Sequence, residues 1–276
     1  AYDASGPDGA QAALNELLQV FAQQTPKQGH VDFVGAGPGD PTLLTHKARL
    51  LLDEADVVLY DRLVDPRILE LARREALVIE VGKTGFGPSM AQNEINQLII
   101  DHVGRGVQVV RLKSGDPSVF GRLDEELEAI AAHDISYSIV PGITAASAAA
   151  DSLGRSLTQR DRNSGVRLIT GHDMAGFADQ DWRSMAAPDT VVAIYMGKKA
   201  ARFIQGRLMM HGADAETPIT VVENVSRADQ RTISTQLKHL PQAVGNLDGP
   251  AVLLYGVNPR IKSCKIYQEQ VLERCN

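Results

Sequence analysis

The sequence predicts an α/β protein built from two α/β domains. Three features carry this expectation. From His30 onward, short β-branched runs alternate with stretches whose apolar residues recur at helical spacing, the order that βα units produce. The strand-like runs of the first half are continuously apolar rather than alternating, as in a parallel sheet covered on both faces. At Pro141–Gly142 the rhythm breaks and a second strand–helix series follows. A length of 276 residues suits about two domains. The expected division is a leader over residues 1–29, an N-terminal α/β domain over 30–142, a C-terminal α/β domain over 143–258 and a peripheral tail over 259–276.

The leader is rich in Ala, Gln and Gly. It holds one amphipathic stretch, with Leu14, Leu17, Leu18 and Phe21 at i, i+3, i+4 and i+7. This reads as a short helix on a flexible arm that packs on the body or on a partner. Residues 30–36 form the first strand, running into glycine. Residues 42–55 place Leu44, Ala48, Leu51 and Leu52 on one helical face. Further strands are expected at 56–61, 77–81, 107–112 and 137–140. The helix ahead of the fourth strand carries Ile95, Leu98, Ile99 and His102 on one face, which makes His102 a helix-face histidine rather than a ligand. After Pro141 comes a small-residue helix, then strands near 166–170, 190–197, 218–225, 230–235 and 251–257. The strand-rich order at 217–235 suggests an antiparallel hairpin. No internal repeat stands out.

Composition narrows the function. Hydrophobic residues are 43% of the chain and the net charge is −6. These values exclude a disordered, collagen-like or low-complexity chain. The acidic excess argues against a general nucleic-acid binder. No apolar run reaches the ~18–20 residues of a membrane span. The two cysteines, Cys264 and Cys275, both lie in the tail. They cannot staple the body, and without clustered histidines they make a poor metal site, so no metal is expected. The beginning of the sequence lacks the basic-then-apolar pattern of a signal peptide, and a reducing cytoplasm fits.

The glycine-rich turn Gly35–Asp40 follows the first strand. A dinucleotide fingerprint wants glycine at the first, third and sixth positions of a turn that opens a helix. Here the sixth position is Asp40, and Pro38 removes an N–H donor. The loop suits contact with a flat or apolar ligand surface better than it suits a pyrophosphate. The dinucleotide alternative would use Asp61 as its ribose-binding acid; a tight turn without any ligand is the plain one. A second turn, Arg111–Arg122, ends the fourth strand. Open parallel sheets bind ligands beyond the carboxyl ends of their strands. Four consecutive strands end in Gly35–Asp40, Asp61–Arg62, Gly82–Lys83 and Lys113–Asp116, and the segment PGITAAS adds a fifth element. Any one of these could be an ordinary turn, but together on one rim they argue for a site.

The segments VGAGPGDPTLLT, ADVVLYDRLV, VGK, VVRLKSGDPSVFGR, VPGITAASAAA, VRLITGH, YMG and PITVVEN follow one another in order. Over roughly Val31 to Val257 the chain thereby resembles the uroporphyrinogen-III C-methyltransferases of the tetrapyrrole methylase superfamily. The resemblance implies two α/β domains of the tetrapyrrole methylase type with the cofactor cleft between them, and a homodimer. It implies S-adenosyl-L-methionine as methyl donor, S-adenosyl-L-homocysteine as product, and methylation of uroporphyrinogen III at C-2 and C-7. Precorrin-2 then forms by way of precorrin-1, for sirohaem, cobalamin or haem d1. No dehydrogenase–ferrochelatase stretch accompanies these segments, so later steps are expected to need other proteins. Position by position, the resemblance implies cofactor contacts at Pro38, Ser114, Gly115, Asp116, Val119, Thr144, Ala145, Met196, Val225 and Ala251, and proton transfer at Asp61 and Lys83. The chain departs from the family wording at Ser114 and Val225, each in place of a glycine, and at Leu123–Asp124 in place of two. A positive φ at Ser114 or Val225 would be strained. The nearer alternative is another methylase of the superfamily, acting on a later corrin intermediate or on diphthamide. An NAD(P)-dependent oxidoreductase and a non-catalytic tetrapyrrole carrier are the remaining ones.

Methyl transfer from a sulfonium needs no metal and no covalent enzyme intermediate. It needs alignment, which can contribute up to ~7–11 kcal/mol, and a base for the proton that leaves the macrocycle. Asp61 is a plausible base; its alternative is a salt bridge with Arg62 or a turn cap. For Lys83 the alternative is a solvated lysine. Arg111 is suited to hold a substrate carboxylate bidentately and to assist catalysis, and it shares a strand face with Lys113. Its alternative is an internal salt bridge to Asp116 or Asp61. The substrate's eight carboxylates meet a net-negative protein, so attraction must come from a local basic cleft. Arg62, Arg111, Lys113 and Arg122 are the substrate-binding candidates, supplemented by Lys83, Arg155, Arg160 and Arg162. The run Gly154–Arg162 reads equally well as a solvated loop.

Overall fold

The structure, a computed structural model, describes residues 29–82, 90–173 and 176–260. The expected leader helix, Lys83, Cys264 and Cys275 lie outside the described residues. The first sheet contains β1 (His30–Gly35), β2 (Val57–Tyr60), β3 (Leu77–Glu80), β4 (Gln108–Lys113) and β5 (Ser136–Val140). Its order is β3-β2-β4-β1-β5, with every neighbouring pair parallel. Helices at His46–Glu54, Pro66–Leu69, Gln92–Val103 and Leu123–Ala131 make the crossovers. Successive residues of β1 face opposite sides. Val34 packs with Leu52, Val58 and Leu112 on one face. Val31 and Phe33 pack with Leu59, Ile99 and Ile130 on the other.

The helix expected over 42–55 begins later. Residues Pro41–Leu43 form a 3-10 turn capped by Asp40, and the α-helix starts at His46, capped by the Thr45 hydroxyl. Ala48 and Leu52 are buried, whereas Leu44 packs on the same cluster from ahead of the helix. In Gln92–Val103 the buried residues are Ile95, Ile99 and Val103. His102 sits half-buried on this helix, its pKa held below the ordinary imidazole value by burial and by Arg105. The expectation of full cover on both faces fails at the sheet's edges. Leu77 and Val78 of β3, and Tyr137 and Ile139 of β5, are exposed. An outer strand has a neighbour on one side only, and the crossover helices lie over the central strands.

The second sheet contains β6 (Val166–Thr170), β7 (Val191–Tyr195), β8 (Pro218–Glu223), β9 (Arg231–Gln236) and β10 (Ala251–Tyr255), in the order β6-β7-β10-β8-β9. β6 and β7 are parallel and the remaining pairs antiparallel. The expected hairpin is β8–β9, in register from Pro218↔Gln236 to Glu223↔Arg231. The small-residue helix Ala145–Ser152 lies on this sheet, with Ala146 and Ala149 against Val191, Ala193, Val222 and Leu254. Alanines at the contact let its backbone approach the strands closely.

Topology fixes where a ligand can enter. The β1–β2 connection passes over β4 to one side, and the β4–β5 connection passes over β1 to the other. The loops after β1 and β4 therefore diverge at a switch point, where open parallel sheets form their ligand crevice. No helix among the described residues is long and apolar enough to cross a membrane.

Candidate active site

The site is built first from backbone. Gly37 and Gly115 exchange N–H···O bonds of 3.1 and 2.8 Å, tying the loop after β1 to the loop after β4. Both have positive φ, 66° and 70°, which glycine adopts without penalty. The Pro141–Gly142 segment closes against them. A Cβ on Gly142 would lie 2.1 Å from the Gly115 carbonyl oxygen, and one on Gly35 would lie 2.5 Å from the Gly142 nitrogen. The Cβ direction of Gly115 is different: its nearest neighbour would be the Thr144 Cα at 3.9 Å. A bare stretch of backbone therefore faces open space beside Thr144. Asp116 fastens the loops: Oδ2 accepts from the Gly142 N–H (3.0 Å) and Oδ1 from the Ser118 N–H (2.8 Å).

Beside this backbone cradle lies a charged quartet. Arg111 and Lys113 share one face of β4, as strand periodicity requires, and that face looks onto the Leu123–Ala131 helix. Arg111 is 2% exposed, Lys113 1% and Glu126 0%. Arg111 Nε donates to Glu126 Oε1 (3.0 Å), and one terminal nitrogen donates to Asp61 Oδ1 (2.6 Å). The other terminal nitrogen donates to the carbonyls of Leu59 and Leu112. Lys113 Nζ donates to Glu126 Oε2 (2.5 Å), and Gln92 also donates to Glu126. Burial opposes the Arg111 charge, but the carboxylates of Asp61 and Glu126 outweigh it and hold its pKa above the ordinary value. For Lys113, burial and the neighbouring Arg111 charge prevail over Glu126 and push the pKa down. Asp61 is the open end of this network, its side chain 32% exposed at the rim.

This geometry revises the substrate-binding expectation for Arg111 and Lys113. Both cations are consumed by internal partners, the alternative that the sequence left open for Arg111, with Asp61 rather than Asp116 as the rim carboxylate. Arg62 and Arg122 are exposed, and Arg122 pairs with Glu125. Arg155 donates to the Asn258 carbonyl beyond β10 and Arg162 to the Ser156 and Leu157 carbonyls of its own loop, whereas Arg160 is exposed.

The second domain supplies the opposite wall. Tyr195, at the end of β7, bonds through its hydroxyl to Thr144 Oγ1 (2.5 Å) and accepts from the Ala146 N–H (3.1 Å). Its ring lies 5.1 Å from that of Phe120, which comes from the loop after β4. Met196 follows, 52% exposed. After β8, Ser226 Oγ accepts from the Asp40 N–H at 3.0 Å. Arg227 donates to the Leu63 carbonyl and stands 4.0 Å from Asp65. Val225 turns its side chain into the core with Ala146 and Val252, and Ala251 opens β10. Neither Ser114 nor Val225 has a positive φ, so both replace glycine without backbone strain. Among the described residues, eight non-glycine positions do have positive φ, and five of them line this region: Phe120, Arg122, Met196, Asn224 and Ser226. Apart from Asn224, whose side chain tolerates this region, each costs about 1–2 kcal/mol, and such strain gathers where function requires a fixed backbone.

The site thus brings together Pro38, Ser114, Gly115, Asp116, Val119, Thr144 and Ala145 from adjoining loops, with Met196 and Val225 on the second domain. Sequence reasoning missed Glu126, Tyr195 and Arg227. Glu126 carried a faint signal: with Leu123, Leu127 and Ile130 it occupies the apolar face of its helix, where a carboxylate needs a cation. Among the described residues no group of His, Cys, Asp or Glu could hold a metal.

A glycine-paired switch point on the first sheet, faced by loops of the second unit and flanked by a rim carboxylate, is the arrangement of a small-molecule site. The family model described as tetrapyrrole (corrin/porphyrin) methylases matches residues 30–241, and the chain belongs to that family. A solved structure titled uroporphyrin-III C-methyl transferase from Thermus thermophilus, complexed with S-adenosyl homocysteine, is 37% identical. The match covers 83% of this chain and 97% of that one, with a TM-score of 0.72. The structure of cobalt precorrin-4 methyltransferase is 27% identical, covering 82% and 94%, with a TM-score of 0.74. Among curated proteins, the siroheme synthase of Pseudoalteromonas translucida is 42% identical over 89% of this chain and 52% of its own length. That of Azotobacter vinelandii is 43% identical over 92% and 56%. The chain spans about half the length of these curated relatives.

Proposed function

We propose that the chain transfers methyl groups from S-adenosyl-L-methionine to C-2 and C-7 of uroporphyrinogen III, giving precorrin-2 by way of precorrin-1. The observation that carries this reading is the bare backbone of Gly115 beside Thr144, on the same rim of strand ends as Asp61. A donor lying along that backbone meets no side chain at Gly115, so the residues present fit it. Pro38, Ser114, Asp116, Val119, Ala145, Met196, Val225 and Ala251 complete the proposed binding surface. When bound, the donor supplies an electrophilic methyl group on a sulfonium. The chain's own residues align the attacking pyrrole carbon and receive the proton that the macrocycle gives up.

Asp61 is the proposed base. Arg111, held by Glu126, aims its carboxylate and acts as a positioning residue rather than a substrate clamp. Lys83 is a second proposed proton-transfer residue. Arg62 and Arg122 are proposed to meet substrate carboxylates. We further propose a cytoplasmic homodimer, which light scattering of the purified chain would test. The relatives' names support a place in sirohaem or cobalamin formation. The oxidoreductase alternative is disfavoured because the loop after β1 opens a 3-10 turn behind Pro38 and Asp40 rather than a phosphate-binding helix. Calorimetric titration with S-adenosylhomocysteine and with NADP tests the cofactor: heat from NADP alone would end the methylase reading. The base is tested by Asp61→Asn. Turnover is expected to fall by ~10²–10⁴ while S-adenosylhomocysteine affinity holds, and wild-type turnover would reduce Asp61 to a structural residue.

A further inference from the structure

Phe120 has no assigned part in this site, yet several features set it apart. It is an aromatic residue with a φ of 52°, a conformation that is an outlier for a bulky side chain. The loop around it is tight: a Cβ on the next residue, Gly121, would lie 2.4 Å from the Pro117 carbonyl oxygen. Phe120 is 42% exposed, whereas Phe33, Trp182 and Tyr255 are buried. It borders a hollow of about 390 Å³ shared with Pro117, Ser118 and Arg122. Among the described residues its one aromatic contact is with Tyr195 of the opposite domain, whose hydroxyl is anchored to Thr144 and to the Ala146 N–H. The ring is thus held from across the cleft, one residue contact away from the proposed donor surface.

We propose that Phe120 is the platform on which one pyrrole ring of the substrate rests while its carbon is methylated. Core burial does not account for an exposed aromatic residue at a strained position. A pyrrole is an electron-rich aromatic ring, and offset or edge-on packing against a phenyl face fixes its plane. Fixing that plane sets the line of attack on the methyl group, where small angular errors are costly. Arg122, two residues on and exposed, borders the same hollow, and on this proposal it meets a ring's acetate or propionate arm. The assignment rests on the methyltransferase reading above and adds a specificity-determining contact to it.

The test compares wild type with Phe120→Gly and Phe120→Tyr. For each, melting temperature, affinity for S-adenosylhomocysteine, anaerobic equilibrium affinity for uroporphyrinogen III, and kcat and KM are measured. Glycine suits a φ of 52°, so Phe120→Gly should keep its melting temperature within about 3 °C of wild type. Its S-adenosylhomocysteine affinity should be unchanged, while uroporphyrinogen III affinity falls about tenfold and kcat falls as well. Phe120→Tyr keeps the ring and should restore both. Wild-type substrate affinity in Phe120→Gly would overturn the proposal, as would failure of Phe120→Tyr to rescue. A wild-type chain that binds S-adenosylhomocysteine but methylates no uroporphyrinogen III would instead sink the parent reading and this contact with it.

Discussion

Arg111 shows how one residue changes meaning between sequence and structure. In the sequence it is a basic residue beside a glycine-rich loop, and its fork suits a substrate carboxylate. In the structure its donors are taken by Asp61, Glu126 and two backbone carbonyls. A buried ion pair with one partner weakened leaves a charge uncompensated, and a lysine cannot reproduce the fork. Arg111→Lys is therefore expected to destabilise the fold by roughly 1–3 kcal/mol, within the range for a damaged buried charged hydrogen bond. It should also lower turnover through Asp61. Thermal unfolding and a steady-state assay read both effects, and an unchanged melting temperature would mean the quartet is not structural. Lys113 and Arg111 had to share a face because strands alternate; that much was legible. Which partners waited on that face was not, since Glu126 is thirteen positions further along the chain than Lys113.

At the scale of elements, three of the described α-helices, His46–Glu54, Pro66–Leu69 and Trp182–Met185, start where a short polar side chain meets a free N–H group. Thr45 caps His46–Glu54 through the Ala48 N–H. Asp65 caps Pro66–Leu69 by accepting from the Arg67 N–H (3.0 Å), and it also receives the Arg67 guanidinium (2.9 Å). The Arg67 hydrogen bond holds the Asp65 carboxyl below the usual carboxylate range, against an opposing push from burial. A depressed carboxylate pKa means that the unfolded chain binds the proton more readily. The stabilisation is therefore fully present above the free-acid value of 3.8 and is lost as pH falls through the lower folded value. Asp65→Asn should cost about 1 kcal/mol at neutral pH, since asparagine still caps but cannot pair with Arg67. The gap from wild type should close as pH drops below the free-acid value. Denaturant unfolding across that range measures it, and a gap independent of pH would mean that charge is not what Asp65 contributes. Helices were legible because burial of one face imposes a period of 3.6, and the first-sheet strands because burial of both faces gives continuous β-branched runs. The late start after Asp40 was less so, because the same apolar spacing continues through the 3-10 turn.

At the scale of the whole molecule, two sheets approach each other through a small number of polar contacts. Arg227 reaches from the loop after β8 to the Leu63 carbonyl and toward Asp65, and its side chain fills the space over Gly39, where a Cβ would come within 2.7 Å of it. Ser226 holds the Asp40 N–H. These contacts set the spacing between the loop after β1 and the second domain. Interfaces between domains are ordinarily modest and permit relative motion. Arg227→Ala should therefore loosen the cleft without unfolding either sheet. A loss of about 1 kcal/mol in S-adenosylhomocysteine binding, roughly fivefold, is expected. Calorimetry provides the measurement, and wild-type affinity would show that the walls are held apart by other contacts.

The sequence by itself determined the two α/β series, the parallel first sheet, the hairpin in the second half and the rim of loops that holds Gly37, Asp61 and Gly115. These follow from local propensities: β-branched runs, helical spacing, and glycine where the chain must turn with positive φ. It also carried the family, through ordered segments from the first turn to PITVVEN. Only the tertiary structure decided which side chains serve the cleft and which are consumed inside it. Arg111 and Lys113 turned inward onto Glu126, Tyr195 reached back to Thr144, and Arg227 crossed to the other domain. The physical reason is that charge pairing and domain contact depend on distances between residues far apart in the chain. A buried cation takes the nearest carboxylate in space, and no local pattern in the sequence records which one that is.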